Sequence, residues 1–333
     1  MLSFGKVGSF FLLIRWKNLL IIVMTMVLMR YAIIDTLIGN VKISFAHGLG
    51  DNIPLSLQFP LFNFIVLVFS TICIAAGGYV INDYFDIKTD LINKGKVIVS
   101  TSISRQRAMM LHNIFNLLGV AGGFYVSARS GYLWFGVIFL LISGLLYFYS
   151  ASYKRQFLIG NLIVAFLIAM VPMLVVIYEW SSLYSFCSVH AVTVPDFSFL
   201  FYWVGGFSLF AFLTNLIREI VKDIEDFEGD VAYGQNTLPI VLGVRSSKFI
   251  VSTLVVSTIV LLYLVWFSFI RDWITLIYLS LTVALPLAYL AILIHKSNEK
   301  RQFHFAGGFM KAIMLAGLLY SVVVNIILKW NLF

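Results

Sequence analysis

Charged residues are few in this 333-residue sequence: Asp, Glu, Lys and Arg make up 11% of it, against 61% hydrophobic residues. A soluble globular chain carries roughly 25% charge, so the composition excludes a water-soluble domain and is that of an integral membrane protein. Cysteine is nearly absent. Cys73 falls in a long apolar run and Cys187 in a connection between runs, which offers neither a disulfide framework nor a metal-binding spacing. His112, His190, His295 and His304 show no ligand spacing and read as structural or surface residues. No small-residue cleavage site follows a compact apolar stretch near the N-terminus, so a cleaved signal peptide is not expected.

What is abundant is hydrocarbon in runs of bilayer length. About 20 apolar residues cross a membrane as a helix. Nine such runs occur, at 18–39, 61–81, 109–128, 132–152, 158–180, 199–221, 249–270, 274–295 and 308–329. The apolar residues 8–14 are too few to span. With Arg15 and Lys17 behind them they predict an interfacial segment over 1–17. The expectation is an all-α membrane protein of nine transmembrane helices, forming a single domain over 1–333. Its first eight spans would make two four-helix halves facing a central cavity, with the ninth added.

Basic residues orient the chain. With the N-terminus inside, 18 of the 23 Lys and Arg residues fall on the inner side, and Arg30, Lys42, Arg129, Arg271 and Lys329 on the outer. This is the asymmetry of the positive-inside rule, so the net charge of +8 is topological and gives no support to nucleic-acid binding. Trp134, Trp180, Trp203, Trp266, Trp273 and Trp330 fall at outer span ends, as an aromatic belt would, and only Trp16 is inner. The expected location is a cell inner or plasma membrane, with the N-terminus and both acid motifs cytoplasmic.

Acid is concentrated. Of 15 Asp and Glu residues, nine lie within 83–90 and 219–230. Both stretches contain D-x-x-D-x-x-x-D, as Asp83, Asp86, Asp90 and as Asp223, Asp226, Asp230. On a continuous helix i, i+3 and i+7 share one face, so each stretch is expected to project three carboxylates together. Two carboxylates about 4 Å apart repel by roughly 4 kcal/mol at an effective dielectric near 20, which calls for a cation between them. Oxygen-only donors suggest Mg²⁺. The motifs end the second and sixth runs and therefore face the same compartment.

A membrane site of this kind suits a ligand both anionic and greasy, and a prenyl diphosphate is such a molecule. Metals would bridge its oxygens to Asp and neutralise the leaving group, letting the allylic C–O bond ionise to a carbocation. The 31 Phe and 16 Tyr include rings able to shield that cation, although most are packing residues. The segment NDYFDIKTDLIN (Asn82 to Asn93) closely resembles the first signature of the UbiA superfamily of intramembrane prenyltransferases, and REIVKDIEDFEGD (Arg218 to Asp230) resembles its second. A third match is YSASYKRQFLIGN, where Tyr149, Ser150, Lys154, Arg155, Gly160 and Asn161 follow the family's YSxxxKR pattern. The resemblance implies nine helices round a central cavity with a lateral opening to lipid. It implies that the six motif Asp residues hold Mg²⁺ and diphosphate with Asn82, and that Lys154 and Arg155 lie near the diphosphate. Many relatives continue the first motif as N-K/R-P-x-R-P-L-P-x-G. This chain has NKGKVIVSTSISRQ instead, where Lys94, Lys96 or Arg105 would have to reach the phosphates.

The second motif and its tail, REIVKDIEDFEGDVAYGQNTLPIVLG, look most like the branch that attaches a geranylgeranyl group to geranylgeranylglyceryl phosphate. That acceptor is a lipid anion needing further basic partners, for which Arg15, Lys17, Arg218 and Lys222 are candidates, with Asn18 beside them. Asp90 or Glu219 would serve as base for a hydroxyl acceptor. The alternative is an aromatic acceptor such as 4-hydroxybenzoate, another quinone precursor or haem. Plainer roles compete: Lys154 and Arg155 as topogenic charges, Asn161, Asn215 and Thr214 as bonds between helices, Tyr149 as packing, and Arg30 as a partner of Asp35. A cation transporter would line a path across the bilayer with acids, whereas these lie on one side. A CDP-alcohol phosphotransferase needs a Gly-Ala-Arg insertion between its acids that this chain lacks. Donor chain length and oligomeric state do not follow from the sequence.

Overall fold

The computed structural model describes residues 6–44, 53–94 and 97–330. Among these, nine helices are long and apolar enough to cross a bilayer: Trp16–Gly39, Leu61–Phe85, Arg105–Arg129, Leu133–Ala151, Ile159–His190, Ser198–Glu225, Val244–Ile270, Trp273–Lys296 and Lys300–Lys329. They are called spans one to nine below. Before them, Lys6–Leu13 forms the short helix expected of the N-terminal segment. Span five is longer than its apolar run predicts, with 32 residues that continue through SSLYSFCSVH to His190. At 1.5 Å per residue it is about 48 Å long, well beyond the roughly 30 Å hydrocarbon core. The helix therefore takes up half of the outer connection that the sequence suggests over 181–198.

The residues fall into two compact units. One comprises 1–27, 41–154 and 174–197, the other 28–40, 155–173 and 198–333. The chain passes between them within spans one and five, and both passages lie beside a helix irregularity. In span one it is the wide π-helical turn Met29–Ile34. In span five it is Pro172, which has no N–H for the helical ladder.

In the first unit, spans two and three approach through small residues, as helices do where lipid gives no hydrophobic drive to associate. A Cβ at Gly119 would lie 2.5 Å from Ile74 Cγ1 and 2.9 Å from the Ser70 carbonyl oxygen. Polar side chains add ties: His112 Nδ1 of span three lies 2.9 Å from the Gly77 oxygen of span two, and Ser143 Oγ of span four donates to Asn116 Oδ1 of span three at 2.6 Å. At the other end of this unit, Glu179 accepts the Gln58 and Phe59 N–H groups at 2.6 and 3.0 Å and so fixes the connection into span two. In the second unit, span nine packs on span six with Gly317 against the Phe210 ring, where an added Cβ would lie 2.1 Å away. Thr275 and Tyr320 join spans eight and nine through a 2.8 Å hydrogen bond. The buried Lys248 donates to the Ser297 carbonyl at the turn between them.

Candidate active site

The two acid motifs are built alike, and neither lies on one continuous helix. Span two stops at Phe85, Asp86 adopts φ −91°, ψ 4°, and a new helix runs from Ile87 to Lys94. Span six stops at Glu225, Asp226 adopts φ −91°, ψ 6°, and a helix runs from Phe227 to Ala232. The single-face expectation is thus corrected: the central Asp of each motif is a hinge between two helices. One backbone bond is kept on each side of it. Asp86 N–H reaches the Asn82 oxygen at 3.0 Å and Asp90 N–H the Asp86 oxygen at 2.8 Å, while the matching bonds at Asp226 and Asp230 are 2.9 and 3.1 Å. Side chains compete locally with the ladder in the first motif, where Thr89 Oγ1 donates to the Asp86 carbonyl at 3.1 Å.

Around the first motif the acids are met by cations. Arg15 donates through Nη2 to Asp83 Oδ1 at 2.8 Å, and its guanidinium lies 5.0 Å from the Tyr79 ring centroid. Burial works against the Arg15 charge, and Asp83, Tyr79 and Asp90 together more than offset it, so its pKa is raised. Lys154 donates to Asp86 Oδ1, and Asn82 donates to Asp86 Oδ2 at 2.8 Å. Arg105 rests on the Tyr84 ring at 4.9 Å. The divergent connection into span three is ordered over Val97–Ile103: Val99 is buried in the core with Leu13, Ile14 and Val80, and Ser100 takes the left-handed conformation at φ 81°. Lys94 closes the short helix but its side chain lies outside the described residues, as does Lys96.

At the second motif the partners differ. Asp223 Oδ2 accepts from Asn161 Nδ2 at 2.7 Å. Arg218 Nη1 donates to Glu219 Oε1 at 2.5 Å, and Lys222 Nζ stands 3.9 Å from Glu219 Oε2. His304 lies 2.8 Å from Glu225. Asp230 is buried, and its carbonyl accepts the Gln235 N–H at 3.0 Å.

The structure thus brings Arg15, Asn82 and Lys154 to the first motif and Asn161, Arg218 and Lys222 to the second. Lys154 and Arg155 part company: Lys154 joins the first motif, whereas Arg155 is exposed and its carbonyl accepts the Asn236 N–H at 2.9 Å, just past the second. Arg15 pairs with Asp83, and Arg218 and Lys222 both face Glu219, so these cations already have acidic neighbours. Asn18 is half-buried in the first turn of span one, where its N–H donates to the Arg15 carbonyl at 2.8 Å. Tyr149 is half-buried one turn before Lys154. Sequence reasoning did not single out Tyr79 and Tyr84. The available signal was their spacing, since Tyr79 precedes Asp83 by one helical turn.

Among the described residues, no three Asp, Glu, His or Cys side chains stand close enough to form a metal cage by themselves. Mg²⁺ keeps several waters and is commonly held by one or two carboxylates together with substrate phosphates, so a Mg²⁺ site does not require such a cage. The donors in both motifs are oxygen only.

The sequence profile of the UbiA prenyltransferase family matches residues 53–315, a stretch that includes both acid motifs. The digeranylgeranylglyceryl phosphate synthase of Thermococcus kodakarensis is 28% identical over 265 residues, covering 79% of this chain and 86% of that protein. A solved structure of a digeranylgeranylglyceryl phosphate synthase in membranes shares the fold with a TM-score of 0.64 at 24% identity, over 96% of this chain and 99% of that one. A UbiA homologue from Archaeoglobus fulgidus, solved with DMAPP and Mg²⁺, gives a TM-score of 0.50 at 15% identity, over 95% and 99% of the two chains. Nine apolar spans, twin acid motifs each hinged at its central Asp, and a profile match across most of the chain lead to one assignment: the protein belongs to the UbiA prenyltransferase family and is an integral membrane prenyltransferase.

Proposed function

We propose that this enzyme transfers a geranylgeranyl group from geranylgeranyl diphosphate to the hydroxyl of geranylgeranylglyceryl phosphate, with Mg²⁺ and at the cytoplasmic side of the membrane. The observation that carries the reading is the similarity to the Thermococcus kodakarensis synthase over four fifths of the chain. The cytoplasmic placement rests on the distribution of Lys and Arg.

Asp83, Asp86, Asp90, Asp223, Asp226 and Asp230 would hold Mg²⁺ together with the donor diphosphate. Bound there, the metal supplies neutralisation of the leaving group. Lys154 and Arg15, already beside Asp86 and Asp83, add positive charge where the diphosphate charge grows as the allylic C–O bond breaks. The electron pair of that bond leaves with the diphosphate. The acceptor oxygen then bonds to the allylic carbon and gives up its proton, for which Asp90 is the proposed base. Apolar spans exclude water that would otherwise quench the cation. Arg218 and Lys222, one helical turn apart, are the proposed partners of the acceptor phosphate, which would share them with Glu219.

Purified protein given labelled geranylgeranyl diphosphate and a panel of acceptors tests this reading. Product is expected with geranylgeranylglyceryl phosphate and none in excess EDTA. Asp83→Ala and Asp223→Ala should each lose at least about 10² in rate, the scale for one preorganised contact to developing charge. Product only with an aromatic acceptor would overturn the acceptor assignment, and full turnover in EDTA the metal assignment.

A further inference from the structure

The two halves repeat one local plan down to single residues. A residue in the left-handed conformation precedes span one, Arg15 at φ 50°, and another precedes span five, Leu158 at φ 59°. Each accepts the N–H four residues on, Leu19 at 3.3 Å and Leu162 at 3.0 Å. Each is followed three residues later by an asparagine, Asn18 and Asn161. The next span in each half then ends at an acid motif hinged at its central Asp.

Within this shared plan the first Asp of each motif has a different partner. Asp223 receives the neutral amide of Asn161. Asp83 receives the guanidinium of Arg15, the residue that stands where the second half has Leu158. Asp86 is also matched by a cation, Lys154. Asp83, Lys154 and Asp86 are largely withdrawn from water, with side-chain exposures of 14%, 9% and 16%, and Arg15 partly so at 32%. Arg15 also keeps a left-handed backbone conformation that is unfavourable for a non-glycine residue, and its guanidinium is seated on Tyr79.

A divalent cation can use Asp83 and Asp86 only by displacing two cations held in partly desolvated pairs, and removing one member of such a pair leaves a costly uncompensated charge. A diphosphate removes that obstacle because it offers Arg15 and Lys154 new anionic partners of matching geometry. We propose that Arg15 and Lys154 make divalent-cation binding at the first motif conditional on diphosphate. The inference deepens the proposed function and rests on its assignment of metal to the Asp motifs. By reciprocity the diphosphate is bound more tightly when that metal is present, so metal and donor enter the first motif together.

The test uses the full chain in detergent, Mn²⁺ as the probe, and inorganic pyrophosphate in place of the donor, with bound Mn²⁺ counted by electron paramagnetic resonance against a protein-free pyrophosphate blank. Wild type is expected to gain, on addition of pyrophosphate, a bound Mn²⁺ that is lost in Asp83→Asn. Arg15→Gln should bind that Mn²⁺ without pyrophosphate, at least tenfold more tightly than wild type does. Lys154→Gln should act in the same direction and provides an independent variant should Arg15→Gln fold poorly. Mn²⁺ binding in wild type that needs Asp83 but not pyrophosphate, or an unchanged isotherm in both variants, would overturn the inference while leaving the proposed function standing. Mn²⁺ binding indifferent to both Asp83→Asn and Asp223→Asn would instead overturn the metal assignment beneath it.

Discussion

Asn161 offers a sharp test because two roles for it predict different numbers. It is 7% exposed and gives Asp223 a 2.7 Å hydrogen bond. If it merely joins two helices, removing it should cost about 0.6 kcal/mol of stability, the average for such bonds in membranes. If it holds a catalytic carboxylate, the loss is that of a hydrogen bond to a charged group, about 1.5–3 kcal/mol. At 1.36 kcal/mol per tenfold this is a drop of about 10- to 150-fold in kcat/KM for the donor. Asn161→Leu keeps nearly the same volume and isolates the polar term. Asn161→Asp is the harsher probe: two charges 2.7 Å apart repel by about 6 kcal/mol at an effective dielectric of 20. Steady-state rates with varied geranylgeranyl diphosphate, alongside thermal melting of the detergent-solubilised protein, separate the cases. A lowered melting temperature with unchanged kcat/KM in Asn161→Leu would refute the catalytic role.

Three further outcomes follow from the same geometry. Lys222→Met should raise the KM for a phosphate-bearing acceptor more than the KM for the donor, by up to about 1.5–3 kcal/mol where a charge-assisted bond is lost; an effect confined to the donor would favour an aromatic acceptor. Cysteine at the exposed Lys88 should resist an impermeant thiol reagent added outside intact cells while one at the exposed Ser188 reacts, with little background because Cys73 and Cys187 are both buried; labelling at position 88 would invert the topology. Gly119→Ala should lower stability by about 1–3 kcal/mol, since its new Cβ meets the Ser70 backbone, which cannot rotate away, and melting curves would show it.

The sequence by itself determined whatever depends on neighbours along the chain. Nine spans follow from apolar runs of bilayer length, and the acid motifs stand out because carboxylates are rare amid hydrocarbon. Even the repeat was visible as one shared Asp spacing. Only the tertiary structure decided what those acids touch. Arg15 and Asp83 are 68 residues apart, as are Lys154 and Asp86, and Asn161 and Asp223 are 62 apart. No periodicity encodes such pairings, because they arise when separate spans pack and a buried charge takes whichever partner that packing brings within reach. The hinges at Asp86 and Asp226 were hidden for a related reason: i, i+3, i+7 spacing reads as one continuous helix, whereas the helix stops at each central Asp and a new one starts after it. Arg15 shows the limit most clearly. In the sequence it reads as one inner-side charge among 18, and only the fold places it, in a left-handed turn, on the first aspartate of the motif.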